Sequence, residues 1–166
     1  MLIQIKPKDE IRIESYIKLS NLFLREFYMN IVSYDLMPDI LYFNNPETIS
    51  REIKEKVFMY YIIRHESQDI GEVSLKIVEG MLNISQIFLL KRFRKLHFTN
   101  KIIEELKNIA QENSLEALRI TLPEENKKLP NIVKKWGFQK NGAIARYLGD
   151  MVYIFEDVYT LGVHVK

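Results

Sequence analysis

The residues best suited to chemistry are the bases of Lys91-Arg-Phe-Arg-Lys-Leu-His-Phe-Thr-Asn-Lys101, a run with no glycine and no acid before Glu104. Lys91, Arg92, Arg94, Lys95 and Lys101 gather where an amphipathic helix begins, with Ile102, Ile103, Leu106, Ile109 and Ala110 forming one apolar stripe. A helix start carries unpaired N–H groups and a partial positive charge, so each base placed there costs about 0.3–1 kcal/mol unless something negative compensates it. A bound anion reverses the sign of that penalty, and a phosphate satisfies several N–H donors at once. The same residues also read as a solvated basic edge with no ligand.

Other chemistries find little support. His65, His97 and His164 are scattered, with no ligand spacing, so no metal site is expected. The absence of cysteine excludes a disulfide scaffold, a thiolate zinc site and a cysteine nucleophile. A formal charge of +2 argues against a generic nucleic-acid binder, although the 91–101 stretch itself is a conceivable nucleic-acid contact. No run approaches the roughly 20 apolar residues that span a bilayer, and the first residues lack the pattern of a signal peptide, so cytoplasmic residence and no membrane partner are expected.

The elements that must position the basic run follow from periodicity. At 166 residues and 47% hydrophobic, the chain suits one domain over 1–166. Residues 2–6 alternate as a short strand. From Glu10 to Tyr28 apolar residues recur at helical spacing, and a second helix is expected from Thr48 to about Lys56. Three consecutive strands follow, at 57–65, 70–78 and 81–90, with Glu66–Asp69 and Glu79-Gly80 as turns. The middle strand sets Val73, Leu75 and Ile77 on one face and Glu72, Ser74 and Lys76 on the other, which predicts one wet face. After the basic helix come a strand at 117–122, a short helix beginning near Pro130 and ending at Gly137, and a hairpin of 143–148 with 151–158 across Gly149-Asp150. The fold class is α/β (α+β): a mixed, mostly antiparallel central sheet of about seven strands flanked by about four helices, in the order β-α-α-β-β-β-α-β-α-β-β.

The strand, basic loop and helix from Ile87 to Ile103 resemble the acetyl-CoA signature of the GNAT superfamily of N-acetyltransferases. That family's motif is Gln/Arg-x-x-Gly-x-Gly/Ala, and Arg94-Lys-Leu-His-Phe-Thr99 is the matching stretch. Ile70-Gly71 resembles the family's Val-Gly, and Asn126, eleven residues before Gly137 of Trp136-Gly-Phe138, resembles the Asn preceding its Gly-Phe. The likeness covers essentially residues 2–160. His97 and Thr99 stand where the family has glycines, which narrows the backbone's approach to a pyrophosphate and brings two side chains near it.

The resemblance implies acetyl-CoA as co-substrate, with no metal. Backbone groups of Ile87, Phe88 and Leu89 would hold the pantetheine arm, and Arg94, Lys95, Leu96, His97, Phe98, Thr99 and Asn126 would hold the rest of the coenzyme. Tyr28, Tyr34 and Asp35, with Asp39 and Tyr42, would border the acceptor's cleft. The acceptor is expected to be a small-molecule or peptide amine, and a homodimer is compatible with the reading. The usual proton-donating tyrosine position, four residues before Gly137, is Val133, and strand 81–90 offers Asn83, Ser85 and Gln86 where many relatives carry an acid. No catalytic residue follows from this; Glu72, Glu124 and Tyr153 are substitutes to examine. The second functional reading is therefore a weakly active or inactive module that binds coenzyme A or another anion as a sensor or interaction domain.

Overall fold

A computed structural model describes residues 1–28, 44–125, 127–149 and 152–163, with the backbone alone for Phe27, Tyr28, Leu96, Leu148 and Val152. The strands are β1 (Leu2–Gln4), β2 (Met59–His65), β3 (Gln68–Val78), β4 (Met81–Leu89), β5 (Ala117–Pro123), β6 (Gln139–Gly149) and β7 (Val152–Gly162). The α-helices among the described residues are α1 (Glu10–Tyr28), α2 (Pro46–Lys54), α3 (Leu96–Glu112) and α4 (Leu129–Lys135), and Lys91–Phe93 form one 3₁₀ turn. The hydrogen-bonded strand order is β1-β2-β3-β4-β5-β7-β6, a seven-stranded mixed sheet in which the β4–β5 pair is parallel. Fold class and element order are those expected from the sequence.

Several boundaries differ, each for a local reason. Helix α2 starts two residues earlier than expected because Asn45 caps it, its Oδ1 accepting from the Thr48 N–H at 2.9 Å, with Pro46 in the first turn. The β2–β3 turn is only Glu66-Ser67, with Glu66 at φ 54°. Both β6 and β7 run longer than expected, to 11 residues each, and residues 150–151 at the hairpin tip lie outside the described residues. The basic run is split: a 3₁₀ turn, then Arg94 and Lys95, then α3 from Leu96.

The chain groups into two units, Met1–Lys76 with Gln86–Lys95, and Ile77–Ser85 with Leu96–Lys166. In the first, α1 and α2 bury Ile13, Tyr16, Leu19 and Ile49 against Tyr60, Ile62 and Phe88 of the sheet, with Tyr16 edge-on to Tyr60 at 4.9 Å. Fully burying each such side chain contributes about 1.5–3 kcal/mol. This packing corrects the expectation of a wet β3 face. Glu72 is 0% and Ser74 5% exposed, because α1 lies over them and sets Tyr16 beside both. Gly71 is required here: a Cβ would meet the Phe88 carbonyl oxygen at 2.1 Å.

In the second unit α3 packs on β5 and buries Phe98, Ile102, Ile103, Leu106 and Ala110. Its C-terminus closes with Ser114 at φ 56°, the Leu115 N–H returning to Ala110 O at 2.9 Å. Helix α4 ends as expected on Gly137 at φ 91°, with Gly137 N–H donating to Lys134 O and Phe138 N–H to Val133 O.

Candidate active site

In the first unit, the Leu90 N–H donates to Ile70 O at 2.9 Å, and Phe88 O faces Gly71. Strand alternation therefore turns the N–H and C=O of Ile87 and Leu89 away from β3. The parallel register of β4 with β5 runs from Met81↔Ala117 to Ile84↔Ile120, so Ile87, Phe88 and Leu89 lie past its last pair.

Arg94 is not an idle cation. Its Nε donates to Leu89 O at 2.7 Å, and Nη1 and Nη2 donate to the two oxygens of Glu26 at 2.6 and 2.9 Å. The guanidinium also lies 5.1 Å from the centre of the Phe88 ring. The Arg94 hydrogen bond, opposed by partial burial and helped by the charges of Arg94 and Lys91, holds the Glu26 carboxyl below its usual range. Lys91, Arg92 and Lys95 are exposed beside this brace.

In the second unit, α3 opens at Leu96 with no acid in its first turn. His97 is exposed, its ring 4.2 Å from that of Phe98, while Phe98 and Thr99 are buried, only 9% and 6% exposed. Thr99 thus belongs mainly to the packed side of the helix. Val133 is 1% exposed, so the position where the resemblance implies a proton-donating tyrosine is filled by packing. Tyr153 is 58% exposed, and Glu124 is exposed with its N–H bound to Phe155 O at 3.0 Å. Tyr28 closes α1 without a described side chain; Tyr34, Asp35, Asp39, Tyr42 and Asn126 lie outside the described residues.

The sequence placed Glu72 on a wet strand face and left it a substitute to examine; the structure buries it, and among the described residues of the first unit it is the carboxyl raised furthest from its ordinary value. Burial pushes it up to about 8, against the opposing effect of hydrogen bonding from Gln86 and Tyr16. Gln86 Nε2 donates to Glu72 Oε1 at 2.7 Å and to Ser20 Oγ at 2.8 Å. Glu72 Oε2 has no hydrogen bond of normal geometry, although the Tyr16 hydroxyl interacts with the carboxyl group. Burial, then the charge of Glu72, raises Tyr16 well above its ordinary value; burial and the hydrogen bond to Glu52 raise Tyr60. The available signal was the placement of Tyr16 and Ser20 four residues apart on one helical face, opposite a strand carrying Glu72 and Ser74.

No protein-family model and no curated protein sequence matches the chain. Solved structures do. A PaiA N-acetyltransferase from Thermoplasma acidophilum, in complex with coenzyme A, superposes with a TM-score of 0.72 at 15% identity, covering 95% of this chain and 96% of that one. A spermidine N-acetyltransferase SpeG chimera from Vibrio cholerae gives 0.67 at 14% identity, over 98% and 95% of the two chains. An acetyltransferase of the GNAT family from Desulfovibrio desulfuricans gives 0.65 at 10% identity, over 99% of each. The likeness is therefore one of tertiary structure carried over nearly the full chain, and the fold is that of the GNAT acetyltransferases.

Proposed function

We propose that the chain is an acetyl-CoA-dependent N-acetyltransferase acting on a primary amine of a small molecule, peptide or protein. One observation carries the reading furthest: α3 follows β4 through a basic 3₁₀ turn and opens without an acid in its first turn. Unpaired N–H groups at a helix start suit a diphosphate, and Lys91, Arg92 and Lys95 directly precede this helix in the chain, so the residue types present fit coenzyme A. The structural relatives named above, one of them crystallised with coenzyme A, support the same assignment.

Bound acetyl-CoA supplies an activated acyl group to the attacking nitrogen. The Leu89 N–H, directed away from β3, is the donor suited to polarising an acyl oxygen. The N–H groups at the start of α3 and the exposed His97 would hold the anionic end. Arg94 would brace the turn through Leu89 O, and would reach phosphate only by exchanging Glu26 for it. With Val133 in the proton donor's place, the chain relies on positioning and electrostatics, since a thiol with a pKa near 8.5 can leave as thiolate.

The test pairs a coenzyme A thermal-shift titration with a thiol-release screen of amines, spermidine among them. Saturating coenzyme A should add about 3 kcal/mol of stability, read as a rise in Tm. Binding with amine-dependent thiol release supports the enzyme; no shift at any concentration overturns it. Binding without turnover on any amine favours the second reading, a coenzyme A-binding sensor or interaction module, which the replaced glycines and Val133 motivate.

A further inference from the structure

The two edges of the sheet differ in kind. Strand β1 is only three residues long, whereas β6 runs 11 residues and pairs with β7 on one side alone. An edge strand presents a row of unpaired N–H and C=O groups, and chains usually blunt it with proline, charge, bulges or brevity. Strand β6 has no proline, and its two cations are engaged by β7: Lys140 Nζ lies 2.6 Å from Asp157 Oδ1, and Arg146 donates to the buried Glu156. Register shifts between Lys140 and Gly142, and between Tyr147 and Gly149, confine irregularity to the ends, so residues 142–147 pair with β7 without interruption. All six are exposed, on both faces of the strand.

Alternation places Ala143, Ala145 and Tyr147 on one face with their partners Asp157, Phe155 and Tyr153. Further along β7 the same face buries Tyr159, yet Tyr147, Tyr153 and Phe155 are 57, 58 and 56% exposed, and the two tyrosine rings lie 5.1 Å apart. Contiguous aromatic surface beside an open strand edge marks an interaction site. We propose that this edge is a homodimer interface, at which a second copy adds its own β6 antiparallel about a two-fold axis through Ala145. The register follows from the strand itself. Residues opposite one another in an antiparallel pair share a face, so the axis passes through a residue and not between two. At Ala145 the uninterrupted segment pairs with itself, setting each Tyr147 against the other copy's small Ala143 and each Arg146 against the other copy's Ile144. An axis at Ile144 would set Tyr147 against Asn141, where the register shifts. Charge favours a second copy over a partner chosen by charge. The single cation within 142–147 is Arg146, already neutralised by Glu156, so two copies meet without like-charge repulsion. The inference stands apart from the acetyltransferase reading and needs neither coenzyme nor amine.

The test is sedimentation velocity of the purified protein over about 1 to 100 μM, with a dimer expected at the upper end. Ala145→Lys and Ala145→Glu each set two like charges face to face on the axis, and each should leave monomers at every concentration. An equal mixture of the two variants should restore the dimer, because a residue on a two-fold axis meets only its own copy. Tyr147→Ala, which leaves the strand backbone untouched, should weaken association about tenfold. A wild type that stays monomeric throughout, charged variants that still dimerise, or a mixture that remains monomeric overturns the inference. Should the charged variants fail to unfold cooperatively on heating, Tyr147→Ala decides: association as tight as wild type overturns it. Whether coenzyme A binds has no bearing on any of these outcomes, so the inference and the functional reading fail separately.

Discussion

At the scale of single residues, the acid at position 72 makes the sharpest claim. An unfolded glutamate ionises near 4.5, and the folded group titrates near 8. Between those values the native state holds a proton that the unfolded state has released. Stability is therefore full below about pH 4.5, falls as pH rises toward 8, and is flat beyond, by on the order of a few kcal/mol in total. Glu72→Gln should flatten that decline, as read from Tm between pH 5 and 9; parallel curves for wild type and variant would contradict it. A second prediction concerns Glu26, whose carboxylate occupies Arg94. Glu26→Gln should tighten coenzyme A binding severalfold if Arg94 exchanges partners with phosphate, whereas Arg94→Glu should weaken it. A calorimetric titration in which Glu26→Gln binds no better assigns Arg94 to bracing Leu89 alone. The basic residues were legible in the chain because charge needs no partner to be noticed. The pairing of Arg94 with Glu26, 68 residues away, was not.

At the scale of elements, turns and caps decide how well strands and helices close. Ser114 holds a left-handed conformation at φ 56°, which costs an L residue roughly 1 kcal/mol. Ser114→Gly should raise Tm by a few degrees, since glycine takes that conformation without strain; a fall in Tm would show that the Ser114 side chain contributes something the backbone does not. Gly71→Ala should act oppositely and strongly, because its Cβ would meet backbone rather than a yielding side chain, 2.1 Å from Phe88 O. Losing cooperative unfolding, or a Tm drop of more than about 10 °C, is the expected result; a normal Tm would mean that β3 and β4 can separate. Helix periodicity, Pro130 and Gly137 marked their elements correctly. The alternation of β3 misled, because a period of two shows which residues share a face but not what covers it. Tyr16 and Ser20 from α1 cover the face that the pattern assigned to water.

At the scale of the whole molecule, the formal charge is only +2, yet the bases of 91–101 are concentrated in one stretch of chain. Coenzyme A affinity should therefore fall between about 50 and 200 mM salt, and charge-removing variants of Lys91, Arg92 and Lys95 should shallow that dependence. A salt-independent affinity would mean that the coenzyme is held by neutral groups. Order of elements, the mixed seven-stranded sheet and the basic approach to α3 all followed from the chain alone, because periodicity, turn chemistry and local charge are properties of neighbours in sequence. Tertiary structure decided the burial of Glu72, its hydrogen bond to Gln86 and the capture of Arg94 by Glu26. Each of those depends on groups from separate elements meeting in a space without water, and the cost of taking a charge out of water is set by that meeting rather than by the residue itself.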